Sequence, residues 1–194
     1  MTPIALLRHF PTAWNAEQRL QGRTDVPLSA EARANLADLR MPMPWRGARL
    51  VSSPLSRALE TADLLADGRT VETDPDLVEI SWGAWEGKQA HTLLGDPSSG
   101  FRPTHEWDLD TAAPGGESMR EAMERARPAL ARLAATGTRA VIVTHKALMR
   151  VILGTACDWV RPPEIRRGRL YPLVVRDSGL PRRPEEPVRL ESRL

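Results

Sequence analysis

Two histidines and two arginines stand where short apolar runs give way to polar sequence. Ile4–Leu7 is followed at once by Arg8 and His9, and the β-branched run Arg139–Thr144 by His145. Arg57 lies one loop beyond the run Arg49–Ser52. If each run is a buried strand, these side chains emerge at strand ends, and in open α/β sheets ligands gather outside the carboxyl ends of strands. The chemistry that suits such a set is phosphoryl transfer. A phosphoryl group in flight spreads negative charge over its equatorial oxygens, so catalysis is mainly positioning and charge stabilisation. Arginine is always charged, and its planar fork grips a pair of phosphate oxygens. A neutral imidazole nitrogen is a competent nucleophile near neutral pH. A carboxyl with a raised pKa can protonate the departing alkoxide. Two histidines, two arginines and one glutamate can therefore act without metal. The chain has no EF-hand loop, no HExxH and no GxxxxGK[ST], so neither a metal nor a cofactor is expected.

The elements that must position these residues can be traced along the chain. Ser29 is a fitting N-cap for AEARANLADL, and Pro54 opens PLSRALETADLLA, with Leu55, Leu59, Ala62 and Leu65 on one face. A short strand follows near Thr70–Thr73. Residues 87–113, with Gly95, Pro97, Gly100 and Pro103, are the least regular and read as a small cap excursion over the sheet. Ser118 and Glu121 form a capping box for a helix running to about Ala135, which Pro128 should kink or divide. ALMRVILGTA reads as a helix, and Leu170–Val175 as a last strand. Strands separated by helices predict a three-layer α/β/α sandwich with a largely parallel central sheet. One domain is expected over 1–175, with a basic, proline-rich tail over 176–194.

Composition narrows the partners. Hydrophobic residues at 41% and charged residues at 27% are ordinary for a globular chain. No apolar run approaches the length of about 18 residues that marks a membrane span, and the apolar start is too short for a signal peptide. A cytoplasmic protein without a membrane partner is expected. The single cysteine, Cys157, excludes an internal disulfide and reads as a buried bystander. The net charge of +2 combines +4 over residues 161–194 with −2 over 1–160. The basic tail is interleaved with acids, so it reads as a solvated segment and not as a nucleic-acid stripe. The sequence is compatible with a homodimer. Trp14, Trp82 and Trp85 flank the motifs and are candidates for an aromatic wall against a substrate.

The motifs, taken together, resemble those of the histidine phosphatase superfamily, also called phosphoglycerate-mutase-like. LLRHFPTAWN followed by RLQGRTDVPLSAEA is similar to its first motif, SPLSRALETA to its second arginine motif, and LVEISWGAWEG to its acidic motif. PGGES is similar to its cap-to-helix turn and VTHKALMRVIL to its second histidine motif. An RH pair alone would be weak, but five motifs in order are specific. The resemblance implies that His9 is phosphorylated, and that Arg8, Arg57 and His145 hold the phosphoryl group, with His145 charged or donating. It implies that Glu79 is the proton donor, with Glu86 as the substitute. Thr12, Asn15, Gln21 and Gly22 would bind the substrate or line its mouth, with Trp82 and Lys146 as further substrate-binding candidates. His91 and His105 match no motif and read as surface residues.

Two positions depart from the family pattern. Phe10 stands where glycine is usual, and its phenyl group is expected to narrow or reshape the phosphate loop. Lys146 replaces a small residue after His145 and is either added charge at the pocket rim or an exposed residue of a helix's first turn. The leading expectation is a phosphomonoesterase acting on a small phosphorylated metabolite. A phosphoglycerate-type mutase is the nearest rival. It is disfavoured by the short chain, by the hydrolase-like WGAWEG and by a tail that is poor in lid character. A binding or regulatory module of the same fold that has lost turnover is supported only by Phe10. A small protein-phosphohistidine phosphatase is disfavoured by the cap excursion.

Overall fold

The computed structural model describes residues 1–102, 108–157, 164–182 and 184–193. Ile4–Leu7, inside β1 (Thr2–Arg8), and every residue of β5 (Ala140–Thr144) are completely buried. Burial on both faces is what an inner strand of a covered parallel sheet requires, and it explains why these runs are continuous and not alternating. Their side chains still divide by parity. Ile4, Leu6 and Ile142 face one helical layer, and Ala5, Leu7, Val141 and Val143 face the other. The first layer is α5 (Met119–Ala135) and α6 (Lys146–Ala156); the second is α2 (Ala30–Ala37) and α3 (Ser56–Ala66).

The sheet runs β4-β3-β5-β1-β6-β7, where β3 is Arg49–Ser52, β4 Val71–Thr73, β6 Arg169–Val175 and β7 Pro181–Arg182. Strands β4, β3, β5 and β1 are mutually parallel, and β6 joins β1 antiparallel. This is the expected α/β/α sandwich with a largely parallel sheet. Ser29 and Ser118 cap α2 and α5, the latter through the full Ser118–Glu121 box. Helix α5 continues unbroken past Pro128. Its apolar stripe, Ala122, Ala126, Ala129, Leu130 and Leu133, is buried along the whole length, and that packing outweighs the one hydrogen bond proline cannot donate.

The segment beyond Val175 differs from its expected solvated form. It pairs through β7 and β8 (Val188–Arg189) with the exposed edge of β6, and through β9 (Glu191–Ser192) with β2 (Leu39–Arg40). Leu190 is buried and its N–H bonds Gly168 O at 2.9 Å, so an edge strand that needs partners recruits the tail. In the excursion, α4 (Ala90–Leu94) and a 3-10 turn at Pro97–Ser99 surround a satellite cluster of Trp85, Leu93 and Ala113. His91 is exposed; His105 and Pro103 lie outside the described residues. Cys157 is half-buried, not buried, and its thiol donates to Leu153 O at 3.1 Å.

Candidate active site

The strand register places the reactive residues together. Arg8 pairs with Thr144, and Ser52 with Val143, so β1, β5 and β3 end side by side. His9 N–H donates to Thr144 O at 2.9 Å and Ser53 N–H to Val143 O at 3.0 Å, which extends the ladder by one residue beyond the strands. His9 and His145 thus leave one sheet edge with ring centroids 5.2 Å apart. Arg57 arrives from the first turn of α3, whose start is tied down by Asp25: its carboxylate accepts Ser56 N–H at 2.8 Å and Ser56 Oγ–H at 2.6 Å.

His9 is almost wholly buried, and its Nδ1–H donates to the Phe10 carbonyl at 2.7 Å. A carbonyl can only accept, so the proton is on Nδ1 and the lone pair is on Nε2, which has no protein partner among the described residues. Burial, then the charges of Arg57 and Arg8, hold the imidazole well below the usual histidine range. Arg57 has no exposed surface. Its Nη2 donates to Gly22 O at 2.6 Å, its Nη1 to Thr24 O at 3.0 Å and its Nε to His145 Nδ1 at 3.2 Å. Three of its five N–H donors are thus engaged, which leaves one on each Nη; Arg57 itself is not among the residues lining the cavity described below. His145 Nδ1 therefore accepts, and its Nε2 lies 2.8 Å from Ser53 Oγ. Burial and then Arg57 depress the His145 pKa well below the usual value, so of the two expected forms, charged or donating, the geometry fits the neutral imidazole with its proton on Nε2. Its ring braces Arg57.

Glu79 is buried beside the start of α6. Its Oε1 accepts from Ile80 N–H and Leu148 N–H, and its Oε2 from Ala147 N–H, at 2.9–3.1 Å. Burial raises its pKa, and the three backbone donors and Arg57 only partly oppose this. The alternative, Glu86, has a different environment. Burial disfavours its ionisation, but donors from Thr24, Arg23 and Trp82 outweigh this and hold it below the usual carboxylate range. Glu86 clasps the loop that carries Gly22. A β-carbon on Gly22 would strike that carboxylate and Ile80 O, which is why glycine is needed there.

A cavity of about 290 Å³ opens over Arg8, His9 and Glu79, walled by Asn15, Gln21, Trp82, Phe101, Lys146 and Arg150. Several expected residues lie elsewhere. Thr12 caps the short helix α1 (Ala13–Ala16), and its hydroxyl donates to Gln21 Oε1 at 3.0 Å. Gly22 serves through its carbonyl on Arg57 and does not line the mouth. Trp85 is in the satellite cluster and Trp14 covers Gly87, so only Trp82 of the three tryptophans forms a wall. Phe10 does not narrow the loop: its side chain is buried in the α2–α3 layer, and only its backbone serves the site. Arg150 and Phe101 also line the cavity, although neither was expected there; Arg167 does not line it but donates from Nη2 to Asn15 Oδ1 at 2.9 Å. Arg150 lies four residues past Lys146 on the same helix, whereas Arg167 and Phe101 come from loops that carry no periodic signal.

The sequence profile of the histidine phosphatase superfamily (branch 1) matches residues 4–173. The chain belongs to this superfamily. A relative named probable phosphoglycerate mutase GpmB, from Salmonella paratyphi C, is 31% identical over 160 residues, 80% of this chain and 74% of that one. The crystal structure of phosphoglycerate mutase from Thermus thermophilus is 32% identical, covers 98% of this histidine phosphatase chain and 99% of its own, and gives a TM-score of 0.73. Mycobacterial hydrolase 1 is 26% identical, covers 95% and 97%, and gives a TM-score of 0.78. Superfamily members of both names thus share the fold. Among the described residues no helix is long and apolar enough to cross a membrane.

Proposed function

We propose that the chain is a metal-independent phosphomonoester hydrolase that acts on a small phosphorylated metabolite through a phosphohistidine at His9. The observation that carries this reading is the Nδ1–H bond of His9 to Phe10 O, which leaves the Nε2 lone pair beside Arg8 at the cavity floor. His9 Nε2 attacks phosphorus, the ester P–O bond breaks, and the proton of Glu79 goes to the leaving oxygen. Water then attacks the phosphoramidate and gives its proton to Glu79. The P–N bond breaks and free phosphate leaves. Arg8 and the remaining fork of Arg57 carry the phosphoryl charge, and His145 keeps Arg57 in line.

Hydrolysis is favoured over return of the phosphoryl group to substrate because a mutase must keep its intermediate dry. Among the described residues, none beyond Arg150 lines the cavity, and the tail is tied to the sheet edge, so it supplies no cover. Given a phosphoglycerate, the enzyme is expected to release inorganic phosphate with no need of bisphosphoglycerate. Rapid isomerisation that depends on the bisphosphate, with negligible free phosphate, would identify a mutase.

The proton inventory sets the pH profile. The first step needs His9 unprotonated and Glu79 protonated. His9 is depressed below the usual histidine value, so it stays unprotonated into weakly acid solution. Glu79 is raised above the usual carboxyl value, so its acid form persists higher than a solvated glutamate's and the rate declines on the alkaline side as that proton is lost. For Glu79→Gln, kcat/KM on an alkyl phosphate is expected to fall about 10²–10⁴-fold and to lose the alkaline limb. The loss should be much smaller with 4-nitrophenyl phosphate, whose leaving group needs no proton. Equal losses on both substrates would remove Glu79 from the acid's role.

A further inference from the structure

Asn15 reaches the cavity from a weakly anchored element. Helix α1 is a single turn of four residues, none of them buried, so burial contributes little to holding it. Within α1 the side chain is restrained by the capping box, in which Asn15 Oδ1 accepts Thr12 N–H at 3.1 Å. The second lone pair of Oδ1 is taken by Arg167, whose Nη2 donates at 2.9 Å from 152 residues away. Two donors on the oxygen fix the amide. Turned over, its NH₂ would face a backbone N–H and a guanidinium, and neither can accept. The Nδ2 group therefore points away from both, and it has no protein partner among the described residues. Asn15 lines the cavity with Arg8, His9 and Glu79, so its two N–H donors face the space that phosphoryl oxygens would occupy.

Arg167 can hold Asn15 only if it is itself fixed. It stands in the loop ahead of β6, and that loop is tied down on both sides. The Tyr171 hydroxyl donates to Glu164 O at 2.7 Å and accepts Arg166 N–H at 2.5 Å. Gly168, at φ +68°, makes the left-handed turn that glycine permits, and its carbonyl accepts Leu190 N–H from the tail at 2.9 Å. The Arg167 Nε is buried, so the guanidinium is sunk against the protein and does not wave in solvent. Burial and then the Arg167 charge push Arg8 down to about 10, which puts that guanidinium close behind the phosphoryl site. Arg167 does not line the cavity. Its hydrogen bond to the site runs through Asn15.

We propose that Arg167 is a positioning residue, which clamps Asn15 so that its amide N–H groups are presented to the phosphoryl oxygens. This rests on the reading that a phosphoryl group is bound beside His9. Arg167 is not itself a ligand, so its effect on a phosphate-like anion should vanish once Asn15 is removed. A double-mutant cycle on Asn15→Ala and Arg167→Met tests this, with orthovanadate affinity as the readout and thermal unfolding in parallel. Wild type, both single variants and the double variant would be titrated at a temperature where each is folded. Each single variant is expected to bind vanadate about tenfold more weakly than the wild type. The double variant is expected to lie within about threefold of Asn15→Ala. Should Arg167→Met not fold, Arg167→Gln, whose shorter side chain falls short of Asn15, carries the same expectation. Wild-type affinity in the Arg167 variant would overturn the proposal. So would an equal fold loss in both backgrounds, which is the mark of a direct charge effect or of general damage to the fold. A wild type that does not bind vanadate would overturn it as well. Coupling that persists without release of phosphate from any ester would count only against the hydrolase reading.

Discussion

His9→Ala is expected to lower turnover of 4-nitrophenyl phosphate by about 10⁴-fold or more, because among the described residues the cavity is lined by no second histidine and by no serine, threonine or cysteine. The fold should survive. Among the described residues the side chain makes one hydrogen bond, to Phe10 O, and leaving that carbonyl unpaired costs about 1–3 kcal/mol. Strands β1 and β5 are bonded to each other independently of it. Steady-state kinetics with thermal unfolding in parallel checks both halves. A folded variant with wild-type activity would show that the chemistry runs elsewhere.

Arg57→Lys is the second large effect, expected at about 10³-fold in kcat. Charge is kept, so the loss is geometric. A lysine ammonium cannot hold Gly22 O, Thr24 O and His145 Nδ1 at once and still present a fork to phosphate oxygens. Stability should fall too, by about 1–3 kcal/mol, since buried carbonyls lose donors. Affinity for vanadate, a mimic of five-coordinate phosphorus, separates the effects: it should fall with kcat in Arg57→Lys, assayed at a temperature where the variant is folded. Unchanged vanadate binding would mean that Arg57 is only structural.

The sequence made the skeleton of the site legible, because its residues follow immediately from strands with strong patterns. Four buried apolar residues before Arg8-His9, and four followed by buried Thr144 before His145, fix where those side chains emerge. Glu79 needed the family resemblance, since nothing local marks a carboxylate that will sit against the first N–H groups of α6. Loop geometry was not legible. Phe10 looked like an obstruction, yet its backbone carbonyl sets the tautomer of His9 while its ring packs in the core. Thr12 and Gly22 proved to be supports for Gln21 and Arg57, roles set by hydrogen bonds across the fold. The tail was misread for a related reason: charge and proline content report solvation, and they do not register that the edge of β6 lacks a partner.

The central claim is that the phosphoryl group passes through nitrogen on His9, and trapping the intermediate tests it most directly. The enzyme would be mixed with a radiolabelled phosphomonoester, quenched in alkali within one turnover, digested, and the labelled peptide sequenced. The account predicts a label on the peptide containing His9 that is stable in base, is lost within minutes in acid and is absent from His9→Ala. An acid-stable adduct, or a label on any other residue, would contradict it.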